Sequence, residues 1–244
     1  MKSRNIFAIA LLAAATFSAG PRAQAQLSSL RITEVMSSSG VGGTVDWFEV
    51  SNFDLTNSVD LTGWKMDDSS FSFAVSVALN GVTSIAGGQT AVFLETANPG
   101  TDIPAFRTFW GSAAASIVIG SYTGSGVGLS STADGLVLFD SLGVEKTPRA
   151  SFGLATTGSS FFYGYNRAGG FDTYGSSSNG VISTVGTIAG TDFDQLAYTS
   201  SNALGNIGSP GTAINAVPEP STYAMLALAG VGLAAYRFRR RARP

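Results

Sequence analysis

The side chains most often used as general base, zinc ligand or thiol nucleophile are missing, because the 244 residues include no histidine and no cysteine. Ser-His-Asp and Cys-His catalysis are therefore excluded. Any chemistry would fall to carboxylates. Glu34 and Glu49 lie in two short apolar runs and could sit on neighbouring strands as a glycosidase carboxylate pair does. The same two residues, with Asn52, fit an equally simple role as polar groups that cap strand ends or turns. Asp60 with Asp67-Asp68, and Asp192-x-Asp194, could supply oxygen ligands for calcium. Neither group has the spacing of an EF-hand loop, and Asp in a β-rich chain is more often a turn former. No other cofactor is implied. Phe161-Phe162-Tyr163-x-Tyr165 offers rings that could stack on sugars, or the alternating neighbours of a core strand.

Without a recognisable nucleophile constellation, these groups favour a binding or structural protein over an enzyme. The enzyme alternative is a secreted carboxylate-based hydrolase acting on extracellular polysaccharide, with Glu34 and Glu49 as its pair.

The elements that must position these residues are short strands. Charged residues make up 12% of the chain and hydrophobic residues 44%, with 30 glycines. That mixture suits a turn-rich β-protein with enough apolar material for a core. Leu30–Met36 alternates in and out, and a second run covers Val45–Val50 after a Gly-Gly turn. Phe71, Phe73, Val75, Val77 and Leu79 alternate with small or polar residues, the clearest period of two in the chain. Thr90–Glu95, Ser116–Ile119, Leu136–Asp140 and Phe161–Asn166 follow, with Asn80-Gly81, Gly87-Gly88 and Asp134-Gly135 as turn signals. There is no long amphipathic helical pattern and no fixed internal repeat. Trp47 and Trp64 are the large anchors that a core without disulfides would use, and Gly63 predicts a bend ahead of Trp64.

The two ends differ from this body. Lys2 and Arg4 precede the apolar run Ile6–Phe17, and Ala23-Gln24-Ala25 supplies a small-x-small site. Residues 1–25 thus read as a signal peptide cut by signal peptidase between Ala25 and Gln26. Near the other end, residues 221–236 form an uncharged apolar stretch at the lower limit of a membrane span, followed by an arginine cluster over 237–243. The positive-inside rule keeps those arginines cytoplasmic and the body outside. Between the ends lie six basic and fifteen acidic residues, a net charge of −9. A body this acidic repels nucleic acid, so none is expected as a partner.

Val217-Pro218-Glu219-Pro220, the apolar stretch and the terminal arginines together resemble the PEP-CTERM sorting signal of Gram-negative bacteria. The resemblance implies processing near residues 218–220 by an exosortase-type membrane transpeptidase, in bacteria that also make extracellular polysaccharide. It implies a membrane-anchored precursor and a mature form at the cell surface or in the extracellular matrix of a biofilm. Residues 212–244 would be linker and sorting signal.

Ile32-Thr33-Glu34-Val35, then Asp46-Trp47-Phe48-Glu49-Val50-Ser51-Asn52, then Leu61-Thr62-Gly63-Trp64 resemble the opening of a lamin tail domain. Asp134–Asp140 with Gly143 resembles its later paired strands, and Ser209-Pro210-Gly211 the ending of bacterial members. The resemblance implies an all-β, immunoglobulin-like β-sandwich over residues 27–211. Residues 97–130 and 168–205 match that pattern poorly and read as insertions or long loops. The expected function is a non-catalytic structural, adhesive or polysaccharide-binding role at the cell surface.

Overall fold

Side-chain alternation along the first two strands decides the layering. Leu30 and Ile32 of β1 (Leu30–Met36) and Phe48 and Val50 of β2 (Trp47–Asn52) enter one buried cluster, while Met36 and Trp47 enter another. This sheet is therefore covered on both faces, which is why every residue of β1 and β2 is buried. A bulge between Ile32 and Glu34 makes Thr33 the extra residue. It explains how Ile32 and Val35, three positions apart, share a face.

The computed structural model describes residues 28–40, 45–54, 56–114, 116–163, 177–183, 186–188, 195–199 and 205–211. The chain continues through β3 (Val59–Asp60), β4 (Lys65–Asp67), β5 (Val77–Ala78), β6 (Ser84–Ile85) and β7 (Thr90–Glu95) to helix α1 (Pro99–Trp110). After it come β8 (Val118–Tyr122), β9 (Asp134–Phe139), β10 (Arg149–Phe152), β11 (Phe161–Phe162), β12 (Ser177–Asn179) and β13 (Val181–Ile182). The short strands β14 (Gly186–Ile188), β15 (Gln195–Thr199) and β16 (Ile207–Gly208) end the series.

One sheet has the order β13-β11-β1-β2-β7-β8 and a second the order β12-β10-β9-β4-β5. Ile32, Phe48 and Phe93 from the first meet Met66, Leu136, Leu138 and Phe152 from the second in one core, with Trp64 and Leu61 at its side. The result is a β-sandwich, mostly antiparallel, with β7–β8 and β10–β12 paired in parallel. The parallel pair β7–β8 needs a crossover, and α1 supplies it.

That helix corrects the expectation of insertions or long loops across 97–130. Pro99 starts α1, Phe106, Phe109 and Trp110 are its buried stripe, and Gly111 ends it at φ 69°. The stripe is short, three residues at i, i+3 and i+4, which is why the flanking glycines and alanines hide it from a periodicity reading. It covers the outer face of the first sheet: the Trp47 ring meets Phe106 at 5.8 Å and Trp110 at 5.9 Å, both edge to face.

The strongest alternating run is a second correction. Only Val77–Ala78 of Phe71–Leu79 is strand. The Asp67 carboxylate takes hydrogen bonds from the Ser72 amide and the Ser70 hydroxyl, 2.7 Å each, and folds the chain into a turn. Phe71 adopts φ 48°, and its ring lies under the Arg149 guanidinium at 4.5 Å. Phe73 lies under Lys65 Nζ at 4.7 Å. The alternation is real, but it serves a loop that pads the outer face of the second sheet. Asp134-Gly135, expected as a turn, opens β9 instead.

Candidate functional site

Glu34 and Glu49 stand directly opposite each other in the β1–β2 ladder, and both are completely buried. Like charges placed this way repel, and burial adds a desolvation penalty to each. Burial pushes Glu34 up from its ordinary 4.5 to about 7, against the lowering effect of its hydrogen bonds from Ser160 and Ser209. Burial first, and then the charge of Glu34, push Glu49 up to about 8. Near neutral pH the pair therefore retains proton, and its two ionisations belong to the pair as a unit.

The partners of the pair come from far away in the chain. Ser160 Oγ donates a short hydrogen bond to Glu34 Oε1. The Ser209 amide donates to the same oxygen at 2.8 Å, and Ser209 Oγ lies 3.3 Å from Oε2. Thr33, the bulge residue, donates to Glu49 Oε1 at 2.7 Å, and the Gly211 amide donates to Oε2 at 2.5 Å. Hydroxyls extend this polar strip: Thr33 to Ser51 at 3.0 Å, Ser51 to Thr90 at 2.9 Å, and Ser160 to Ser183 at 2.7 Å. Each hydroxyl can accept as well as donate, so a protonated carboxyl has partners for its own hydrogen. A Cβ on Gly208 would stand 2.8 Å from Glu34 Oε1 and 3.0 Å from the Trp110 ring, so the chain there lies flush against both.

A glycosidase pair flanks a sugar, with its carboxyls about 5–9.5 Å apart across a cleft. Here the space in front of the carboxyls holds the backbone of Ser209–Gly211. The arrangement can bind a chain segment and store a proton.

The other sequence-selected residues divide between frame and turn. Asn52 is a buried hub: its Nδ2 donates to the carbonyls of Asn57, Ile85 and Ala86 at 2.9–3.1 Å, and its Oδ1 accepts from Ser29 Oγ and the Asp54 amide. Asp46 accepts from the Ser39 amide at 2.9 Å, and burial pushes its pKa above the ordinary carboxylate value. Leu61 and Trp64 are core, joined by a turn in which Gly63 takes φ 74°. Trp47 packs under α1 rather than between the sheets. Phe161 and Tyr163 are buried in the sandwich core, which settles them as core residues; Tyr165 lies outside the described residues.

Asp60, Asp67 and Asp68, three of the aspartates weighed for calcium, accept hydrogen bonds within turns. Asp60 accepts from the Thr62 amide at 2.8 Å, Asp68 from the Ser70 amide at 3.0 Å, and Asp67 from Ser70 and Ser72. Among the described residues no three acidic side chains are grouped so as to hold a metal ion. Asp192 and Asp194 lie outside them, as do Ala25, Gln26 and Val217–Pro220. Among the described residues no helix is long and apolar enough to cross a membrane, and the stretch 221–236 also lies outside them.

Ser160 and Ser183 are site residues absent from the sequence motifs, while Thr33 and Ser209 stand in those motifs without any sign there that they meet the pair. Common residue types, with contacts to Glu34 spanning 126 and 175 positions, leave no local signal.

With this geometry in place, comparison with protein families matches residues 23–155 to the Lamin Tail Domain. The chain belongs to the lamin tail domain family. The match covers the opening strands that carry Glu34, Asp46, Trp47, Glu49, Asn52, Leu61, Gly63 and Trp64, and it extends through β10. The strands beyond β10, and the Ser209–Gly211 segment that closes over the carboxyl pair, lie past its end. A second match assigns residues 216–241 to the PEP-CTERM protein-sorting motif, the mark of an exported protein processed at the membrane by an exosortase. No curated protein and no solved structure matches the chain. This lamin tail domain protein thus couples a β-sandwich to a sorting motif.

Proposed function

We propose that the protein is a non-catalytic component of the bacterial cell surface or extracellular matrix, with a structural, adhesive or polysaccharide-binding role. The observation that carries this reading is the burial of Glu34 and Glu49. This pair of carboxyls, read from the sequence as a possible hydrolase dyad, is closed to solvent and filled by the chain's own amides and hydroxyls. A lamin tail sandwich delivered by a sorting motif then acts through its surface.

In this reading residues 1–25 direct export and are removed ahead of Gln26. The stretch 221–236 crosses the inner membrane in the precursor, with the arginines of 237–243 in the cytoplasm, until the transpeptidase acts near 217–220. No cofactor takes part.

The test is incubation of the protein with the extracellular polysaccharide of its own bacterium, reading co-sedimentation and new reducing ends together. Retention on the polymer without new reducing ends is the expected result. Reducing ends that accumulate with the wild type and vanish with Glu34→Gln would establish the hydrolase instead.

A further inference from the structure

The last described segment of the domain has an unusual fastening. β16 contributes only Ile207 and Gly208 to a ladder, pairing with β15. The Ile207 amide donates to Gly158 at 2.7 Å and its carbonyl accepts from the Ser160 amide at 3.0 Å. Beyond that point the chain is held by side chains: the Ser209 amide by Glu34 and the Gly211 amide by Glu49. The sorting motif match begins at residue 216, five positions after Gly211. Two carboxyls thus take part in holding the last described residues of the domain.

Two opposed buried carboxyls cannot both ionise at their ordinary value without a large cost. While the pair holds a proton, at most one negative charge lies between the two carboxyls, and both keep their hydrogen bonds from the Ser209 and Gly211 amides. With both ionised, repulsion and desolvation fall on the same small volume, and water relieves both. The cover that separates this volume from water includes the short segment around Ser209–Gly211.

On β1, Arg31 turns its Nη1 to the carbonyls of Ser28 and Leu30, 2.7 Å each. The residues set against the pair from the other elements are Val92 and Ser51 in the sheet, Ser160 and Ser183 beside β11 and β13, and Trp110 at the end of α1. None of these titrates in the neutral range.

We propose that Glu34 and Glu49 form a proton-operated latch on the segment Ile207–Gly211. The segment is docked while the pair holds a proton and released when both carboxyls ionise. The two glutamates are positioning residues, and the latch operates whatever the later fate of the tail.

Hydrogen exchange of the full chain in detergent micelles, corrected for the intrinsic pH dependence of exchange, tests the latch. Protection of the 205–212 region should fall by about tenfold or more between about pH 5.5 and pH 8, while the β1–β2 amides stay protected. Glu49→Gln, and independently Glu34→Gln, should give a clearly smaller change than the wild type, because one of the two ionisations has been removed. Three results would overturn the proposal: unchanged protection in the wild type, a wild-type slope retained in a folded Gln variant, or parallel loss of β1–β2 protection. The wild-type profile decides the matter even if neither variant folds.

Discussion

Glu34 and Glu49 are cross-strand partners on β1 and β2 with no exposed surface, and each accepts a backbone amide from the segment Ser209–Gly211. A motif that reads as a possible catalytic pair is, in three dimensions, the fastening of the domain's closing segment. Its energetics follow from burial, and they give the molecule a characteristic response to pH.

Stability should fall as pH rises. Both glutamates ionise near 4.5 when unfolded and near 7 and 8 when folded, so the folded state binds more protons across that interval. The unfolding free energy then decreases with pH, because the unfolded chain releases protons that the folded chain keeps. The full contribution is present below 4.5 and is lost as pH passes through the folded values. Thermal unfolding should show a higher Tm near pH 5 than near pH 8.5, and Glu49→Gln should flatten the difference.

Asn52 should be the most sensitive polar residue of the sandwich outside the carboxyl pair. Asn52→Ala removes the Asn52 hydrogen bonds to the carbonyls of Ile85 and Ala86 and from the Ser29 hydroxyl. Loss of several buried hydrogen bonds should cost about 2–3 kcal/mol, read by urea denaturation. Asn57→Ala, at an exposed turn, should cost less than about 1 kcal/mol.

Trp47 anchors α1 to the sheet, so Trp47→Ala should cost about 3–5 kcal/mol. The loss should come with increased exchange along α1, while the core between the sheets, which contains Trp64 and Leu136, remains protected. Equal loosening of both clusters would show that the two layers do not behave separately.

Gly120 and Gly100 should respond in opposite ways to a methyl group. A Cβ at Gly120 would stand 2.5 Å from the Asn80 carbonyl oxygen and 2.7 Å from the Phe93 ring, so Gly120→Ala should cost about 1–3 kcal/mol. Gly100 in α1 has nothing within 4 Å, and Gly100→Ala should stabilise by up to about 1 kcal/mol. Chemical denaturation of the two variants side by side checks both signs.

The parts of the fold that could be read from sequence are apolar strands in the interior of the first sheet. Leu30–Met36 is a strand within its expected limits, and Thr90–Glu95 likewise. Phe71–Leu79 misleads because alternation reports side-chain direction only. The Asp67 turn and the cations over Phe71 and Phe73 create the same pattern without a ladder. α1 is hidden because its apolar stripe is three residues long and its neighbours are small. Glu34 and Glu49 could be placed on adjacent strands, but their meaning depends on Ser209 and Gly211, 175 and 162 positions away. Contacts at that distance arise from topology, which spacing does not encode.

The intact mass of the form recovered from the cell surface tests the account most directly. The account predicts a chain that begins at Gln26 and ends near Val217–Pro220, without the apolar stretch and the arginines of 237–243. A surface form that keeps those arginines would contradict it.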